Sequence, residues 1–159
     1  MKSVLRIIPV ITGIVIILFA LACGEEESAQ EKEKRLLQEF IENNNISISP
    51  TVSGLYYIET ETGTGNQPQS GETVAVHYTG WLMDSTMFDS SAGEAPFTFT
   101  LGVGYVIPGW DEGIVLMKRG GKASLIIPSW LAYGSEGAGS SIPPYSTLLF
   151  DVELLISDD

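Results

Sequence analysis

The stretch that decides the fold is Gly104-Tyr-Val-Ile-Pro-Gly-Trp-Asp-Glu-Gly-Ile-Val-Leu-Met117, which we predict to be a short apolar helix. Ile107, Trp110 and Ile114 are spaced at i, i+3 and i+7, so they share one helical face. Pro108 fits the first turn, where a helix leaves N–H groups unpaired in any case. Trp110 then points at whatever surrounds the helix, either as the plug of a small core or as the floor of a pocket.

On both sides of this helix the sequence alternates with the period of a β-strand. A first short strand is predicted at Leu55–Ile58, and four later segments place apolar residues on one face: Val74, Val76 and Tyr78; Phe97, Phe99 and Leu101; Ala123, Leu125 and Ile127; Leu148, Phe150, Val152 and Leu154. His77 and Ile126 fall on the opposite face. Strands, one helix and further strands predict an α+β fold, in which a twisted antiparallel sheet wraps around one short α-helix.

The length and the net charge of the chain limit the number of domains and the kinds of partner that it can have. The chain has 159 residues, enough for one domain and a modest appendage, and its 17 glycines and 8 prolines suit many short strands and turns. Its formal net charge is −12 and Lys and Arg total only 8. Too few cations remain to neutralise phosphates, so nucleic acid is excluded as a partner.

The first 22 residues have the pattern of a signal peptide. Lys2 and Arg6 precede an apolar run that ends at Cys23, the only cysteine. Ala20-Leu-Ala-Cys23 resembles the cleavage box of bacterial lipoproteins, which implies cleavage before Cys23 and lipidation of that residue. An uncleaved membrane anchor is the alternative. We therefore expect an exported protein of the bacterial cell envelope, lipid-anchored to a membrane surface.

Residues 23–49 read as an acidic linker and an amphipathic helix that precede the main domain, residues 50–159. The linker, Glu25 to Glu33, is expected to be solvated and to carry no chemistry. The helix, Gln30 to Asn43, has an apolar stripe formed by Leu36, Leu37, Phe40 and Ile41. The stripe either packs on the main domain or forms a dimer. Packing is favoured, because the stripe is short for a coiled coil.

Several kinds of catalysis are excluded by composition. His77 is the only histidine and lies on the outer face of its strand, so no nucleophilic dyad and no zinc set can be completed. No glycine-rich loop opens a helix in the manner of a phosphate site. We therefore expect neither a metal nor a cofactor.

Inward-facing aromatic residues are numerous for so small a domain, and they form either core or the wall of a cleft. Tyr78 and Tyr133 carry hydroxyls that need partners if buried, and Asp89 places a carboxylate directly after Phe88. Apolar walls with a few convergent polar groups are typical of a ligand site.

Seven blocks, in unbroken order between Thr51 and Ser157, resemble the FKBP-type peptidyl-prolyl cis-trans isomerases, the macrolide-binding immunophilins. The blocks are Val76-His-Tyr-Thr-Gly80, Phe88-Asp-Ser-Ser91, Pro96-Phe-Thr-Phe99, Val106-Ile-Pro-Gly-Trp-Asp-Glu-Gly113, Ala132-Tyr-Gly134, Ile142-Pro-Pro144 and Leu149-Phe-Asp-Val-Glu-Leu154. The resemblance implies the same fold, proline-containing unfolded or partly folded polypeptides as substrates, and macrolides as further ligands.

The resemblance also implies a set of site residues. Trp110 would be the floor for a proline ring, and the Ile107 N–H and Tyr133 hydroxyl would hold the carbonyls beside the bond. The implied catalytic residues are Tyr78, Asp89 and Tyr133, and the implied substrate-binding residues are Phe88, Phe97, Phe99, Val106, Ile107, Trp110, Ile142 and Phe150.

Two loops depart from the family pattern. The loop from Ser91 to Pro96 is one residue short and has Glu94 where a basic residue often pairs with the aspartate. The tip of the long loop, Pro128 to Ser146, reads Ala138-Gly-Ser-Ser141 and lacks the histidine and isoleucine common there. These changes affect sequence preference and macrolide affinity, and they leave a non-catalytic binding or holdase module as the alternative function.

Overall fold

The computed structural model describes residues 27–156. The predicted signal peptide, its cleavage site and Cys23 lie outside this range. The described elements, in chain order, are α1 Ala29–Asn43, β1 Tyr56–Glu61, β2 Thr73–Leu82, β3 Met87–Ser90, β4 Phe97–Thr100, α2 Pro108–Leu116, β5 Lys122–Ile127, a 3₁₀ turn Ser129–Leu131, and β6 Leu148–Leu154. No helix among these residues has the length and apolar character needed to cross a membrane.

The six strands form one antiparallel sheet in the order β1-β5-β6-β2-β3, and β4 also pairs with β2. The long strand β2 organises the sheet: its start pairs with β4 from Thr73 to Val76, and its end pairs with β3 from Thr79 to Trp81. Its other edge pairs with β6. The α+β prediction is confirmed, with α2 held on the concave face.

Helix α2 begins at Pro108, which lies in its first turn as predicted, and the preceding residues 104–107 of the quoted stretch are not helical. Gly102 and Gly104 both have φ of 74°, which is outside helical geometry, and their N–H groups donate to the two carboxylate oxygens of Asp111 at 2.8 and 3.0 Å. Asp111 lies in the first turn of α2, so it fastens the preceding loop onto the helix N-terminus. Ile107, with extended backbone geometry, is the N-cap residue of α2.

Two glycines let α2 approach the sheet closely. Gly109 and Gly113 lie one turn apart on the buried side of the helix. A Cβ atom at Gly113 would lie 2.9 Å from the Leu125 methyl groups, and one at Gly109 would overlap the Ile127 side chain. Both partners belong to β5, so these glycines set the depth of Trp110 beneath the sheet.

We expect Gly109→Ala to destabilise the protein by about 1–2 kcal/mol, because overpacking a core by one methyl outweighs the gain of about 1 kcal/mol that alanine brings to a helix. Urea unfolding measures the change. Leu116→Ala, at an exposed position of α2, is the matched control and should stay within about 0.5 kcal/mol of the parent. A stabilised Gly109→Ala protein would show that the helix does not lie this close to β5.

Helix α1 packs on the opposite face of the sheet from α2. Ser28 starts it with a capping box: the Ser28 hydroxyl accepts from the Glu31 N–H, and the Glu31 carboxylate accepts from the Ser28 N–H. Leu37 and Ile41 are buried with Ile126 in a second apolar cluster. The predicted packing of this helix on the main domain is confirmed.

The same contact corrects three expectations. Ile126, predicted on the outward polar face, is only 3% exposed because α1 covers it. Leu36 is exposed and contributes nothing to the buried stripe. Glu33, assigned to a solvated linker, is buried within α1 at the position four residues before Leu37.

Candidate functional site

A cleft of about 450 Å³ opens between the concave face of the sheet, the start of α2 and the beginning of the long loop. We call it the aromatic cleft. Its walls are formed by Tyr78, Phe88, Asp89, Phe97, Tyr105, Val106, Ile107, Pro108, Trp110, Ala132, Tyr133 and Phe150.

The aromatic cleft brings together all of the predicted catalytic and substrate-binding residues except Phe99 and Ile142. Phe99 is buried behind the cleft, where its ring stacks on Phe97 at 5.4 Å between centroids. Ile142 is buried in the core and pairs with Ala138 near the loop tip. The sequence reasoning missed Tyr105, Pro108 and Ala132 as wall residues, although all three adjoin predicted positions.

Trp110 is the floor of the aromatic cleft. It is 4% exposed, and the rings of Tyr78 and Phe150 contact it edge to face at centroid distances of 5.0 and 5.2 Å. Phe88 in turn meets Phe150 edge to face at 5.5 Å. Edge-to-face contacts between aromatic rings add stability beyond that of buried area. The rings therefore hold one another in place and give the aromatic cleft an apolar wall that exists before a ligand binds.

One edge of the aromatic cleft is polar. The Tyr78 hydroxyl donates to Asp89 Oδ2 at 2.7 Å, and the Ser90 N–H donates to Asp89 Oδ1 at 2.9 Å. Burial, followed by the hydrogen bond to the Asp89 carboxylate, raises the pKa of Tyr78 well above its usual range. Tyr78 therefore stays a neutral donor at physiological pH.

Ser91 supports this edge from behind and was not anticipated. Its buried hydroxyl accepts from the Tyr78 N–H at 2.9 Å and lies 3.1 Å from His77 Nδ1. His77 thus has a hydrogen-bonding role on the outer face. Its place in the block Phe88-Asp-Ser-Ser91, two residues after Asp89, was the available signal, but the strand pattern gives no reason to expect a buried hydroxyl.

The opposite rim carries Tyr133 and Ile107. Tyr133 is 40% exposed, and partial burial followed by the nearby Asp89 charge raises the pKa of its hydroxyl. Ile107 has extended backbone geometry, with φ of −59° and ψ of 146°. Among the described residues, no backbone hydrogen bond uses its N–H. Both groups are therefore placed to donate to a ligand in the cleft.

A second, larger groove of about 600 Å³ lies on the outer face of the sheet, beside His77, Thr79, Ser124, Asp151 and Glu153. Its side chains are mostly polar, and its groups already pair among themselves, as Ser124 does with Asp151. The aromatic cleft is smaller but has the apolar walls and convergent polar groups that a ligand site needs.

Comparison with known proteins agrees with this geometry. The family model described as FKBP-type peptidyl-prolyl cis-trans isomerase matches residues 64–155. A protein named FK506-binding protein, from Neisseria meningitidis serogroup B (strain ATCC BAA-335 / MC58), is 52% identical over 105 residues, which cover 65% of this chain and 96% of that protein. The FKBP-type 22 kDa peptidyl-prolyl cis-trans isomerase of Escherichia coli (strain K12) is 50% identical over 109 residues, or 68% of this chain and 52% of that protein.

Among solved structures, FkpA from Escherichia coli superposes with a TM-score of 0.71 at 42% identity, over 84% of this chain and 61% of that one. The region matched by the family model, residues 64–155, includes every strand from β2 to β6, helix α2 and the aromatic cleft. Family, fold and cleft agree, and we conclude that the chain belongs to the FKBP-type peptidyl-prolyl cis-trans isomerases.

Proposed function

We propose that the aromatic cleft is where this isomerase binds the proline ring of its polypeptide substrates and accelerates rotation of the X-Pro bond. The observation that carries the proposal is the position of Trp110. The indole is almost fully buried yet forms the floor of an open cleft, and among the described residues that line the cleft Asp89, at its edge, is the only charged one. The methylene groups of a proline ring carry no polar atom, so the ring can lie against such an aromatic floor without burying a polar group of its own.

Rotation of an X-Pro bond requires the loss of amide resonance, with a barrier of roughly 18–20 kcal/mol. No covalent bond is made or cut. The twisted amide has less charge separation than the planar one, so apolar walls that remove water from the carbonyl penalise the ground state more than the transition state. This mechanism needs no nucleophile, metal or cofactor.

The polar groups of the rim would then hold the substrate while it twists. The Ile107 N–H and the Tyr133 hydroxyl are proposed to donate to the carbonyls on either side of the bond, where fixed donors stabilise one geometry. Asp89 and Tyr78 are proposed to form the opposite polar edge. Their mutual hydrogen bond keeps both side chains oriented before substrate arrives.

A protease-free isomerisation assay on a proline tetrapeptide tests the proposal. The parent protein should accelerate the approach to cis/trans equilibrium, and a peptide with alanine in place of proline should not compete. Parent protein that binds the peptide but leaves its isomerisation rate unchanged would favour the non-catalytic binding module on the same fold.

We expect the isomerase rate to be independent of pH from about 7 to beyond 10, the ordinary pKa of tyrosine. The pKa values of Tyr78 and Tyr133 are raised, so both hydroxyls keep their protons above that pH. The folding stability that comes from each raised tyrosine pKa is present below the unfolded-state pKa and is lost only as pH rises through the higher folded-state pKa, so the fold should also hold over this pH range. Measuring kcat/KM against pH, with Tyr78→Phe as control, checks this. A decline centred near the ordinary tyrosine pKa in the parent, absent from the control, would contradict it.

We also propose that the aromatic cleft accepts macrolides of the FK506 class. Support comes from the relatives named FK506-binding protein and from the preformed aromatic walls. FK506 should then inhibit the isomerisation competitively with the peptide. The loop from Ser91 to Pro96 and the loop tip Ala138-Gly-Ser-Ser141 depart from the family pattern, so macrolide affinity is the property in which we expect this chain to differ from its relatives.

For location we propose an exported, lipid-anchored protein of the bacterial cell envelope whose substrates are exported proteins. The support is the charged start, the apolar run and the cleavage box ending at Cys23. Labelled palmitate should be incorporated by the parent and not by Cys23→Ala, and the variant should leave the membrane fraction after cell lysis. Equal labelling of both proteins would point to an uncleaved anchor or to no lipid at Cys23.

A further inference from the structure

Helix α1 carries one buried carboxylate, and its contacts are unusual for a packing residue. Glu33 is 2% exposed. Its Oε1 accepts from the Ser129 N–H at 2.6 Å and from the Thr147 hydroxyl at 2.9 Å, and its Oε2 accepts from the Ser129 hydroxyl at 2.5 Å. Burying a carboxylate is costly unless it is fully hydrogen-bonded, and here three neutral donors meet it.

These donors lie at the two ends of the long loop. Ser129 opens the 3₁₀ turn directly after β5, and Thr147 directly precedes β6. Glu33 is separated from them by 96 and 114 positions in the sequence. The carboxylate therefore closes the base of the loop that carries the Tyr133 rim of the aromatic cleft.

The link from Glu33 to Tyr133 is short. The carbonyl oxygen of Ser129 accepts from the Ala132 N–H at 2.9 Å and from the Gly134 N–H at 2.8 Å. These two amides flank Tyr133 in the sequence. Glu33 holds the N–H and hydroxyl of Ser129, and Ser129 holds the backbone on both sides of Tyr133.

Docking of α1 alone does not require this carboxylate. Leu37 and Ile41 lie on the same helical face as Glu33 and are buried against Ile126, so they supply apolar contacts for the helix. An apolar residue at position 33 could extend that contact. It would leave the Ser129 N–H and two buried hydroxyls without an acceptor.

We propose that Glu33 is a positioning residue of the isomerase, which acts through Ser129 to hold Tyr133 at the rim of the aromatic cleft. The N-terminal helix thereby supports the site from the opposite face of the sheet. The proposal rests on the proposed role of the cleft, so its test needs one readout that does not depend on catalysis.

The experiment compares Glu33→Ala, Glu33→Gln and Leu37→Ala with the parent, as full-length chains in mild detergent. Glu33→Ala should lower kcat/KM about tenfold or more, since small misplacements of positioning groups are costly. Glu33→Gln should keep most activity, because an amide can accept from the Ser129 N–H and donate to its hydroxyl. Leu37→Ala weakens the same helix contact without touching the carboxylate, so it should stay within about twofold of the parent.

Two measurements separate positioning from general stabilisation. In the Glu33→Ala background, Tyr133→Phe should have no further effect on kcat/KM, whereas in the parent it should lower it. Hydrogen exchange of the Ala132 and Gly134 amides should be faster in Glu33→Ala and unchanged in Leu37→Ala, and this readout holds even if the parent proves inactive. If Glu33→Ala does not fold, Glu33→Asp, which withdraws the carboxylate by one methylene, takes its place.

A parental kcat/KM in Glu33→Ala, or in Glu33→Asp where it takes that variant's place, would overturn the proposal. So would an undiminished effect of Tyr133→Phe in that background, or unchanged exchange at Ala132 and Gly134. An inactive parent with accelerated exchange in the variant would instead contradict the proposed function and leave the structural link intact.

Discussion

Replacing Trp110 with alanine is expected to lower the free energy of unfolding by about 3–5 kcal/mol, the range measured when a large aromatic residue in a core is replaced by alanine. The variant should also lose nearly all isomerase activity. The indole is buried by Tyr78, Phe97 and Phe150, so its removal opens a cavity under the cleft. Because small domains have only about 5–15 kcal/mol of total stability, the variant should unfold at much lower urea concentration. Urea unfolding and the isomerisation assay measure the two losses separately.

Trp81→Ala is the matched control, since it removes the same side chain from the outer face of the sheet, where Trp81 lies in a groove beside Phe40 and Ile126. It should lose less stability and retain the parental kcat/KM. If Trp110→Ala fails to fold, Trp110→Phe keeps an aromatic floor and removes an indole N–H that has no hydrogen-bond partner among the described residues. An unchanged unfolding midpoint for Trp110→Ala would mean that the indole supports little of the core.

The concave half of this fold is predictable from local patterns. Alternation in Thr73–Trp81 and Thr147–Leu155 places Val76, Tyr78 and Phe150 correctly, because successive side chains of a strand point to opposite faces of the sheet and these three share the face toward α2. The cleft then follows from the family blocks, since the wall residues lie at or beside the quoted motifs.

The convex half is harder to predict, because it depends on which residues α1 covers. Ile126 alternates as an outward residue, and only the docked helix makes it a core residue. Glu33 looks like one more charge in an acidic segment. A helical wheel puts it in line with Leu37 and Ile41, but nothing local shows that Ser129 and Thr147 supply its donors. Those contacts span most of the chain.

The pattern of apolar residues likewise does not predict where two elements pack unusually close together. In the sequence Gly109 and Gly113 look only like weak helix formers. The structure explains why glycine is needed there, because the side chains of β5 leave no room for a Cβ atom. Ser91 is similar, since its hydroxyl replaces a strand partner for the Tyr78 N–H. Such residues are fixed by distances between elements, which periodicity does not contain.

Asp89→Ala should lower kcat/KM about tenfold while changing stability by less than about 1 kcal/mol, because the side chain is exposed but orders the polar edge of the cleft. Its carboxylate accepts from Tyr78 and from the Ser90 N–H. Removing it frees the Tyr78 hydroxyl to rotate and removes the one charged side chain among the described residues that line the aromatic cleft. Stability should change little, since no ion pair among the described residues involves Asp89.

Asp89→Asn separates the charge from the hydrogen bond. The amide oxygen can still accept from Tyr78, so the edge keeps its geometry and loses only its negative charge. A rate close to that of the parent would assign Asp89 to orientation of Tyr78, and a rate close to that of Asp89→Ala would assign it to electrostatics. Tyr78→Phe completes the comparison: if orientation is the role, Asp89→Ala in that background should add little. Parental rates in both Asp89 variants would remove this residue from the mechanism and leave desolvation by the aromatic walls as the source of catalysis.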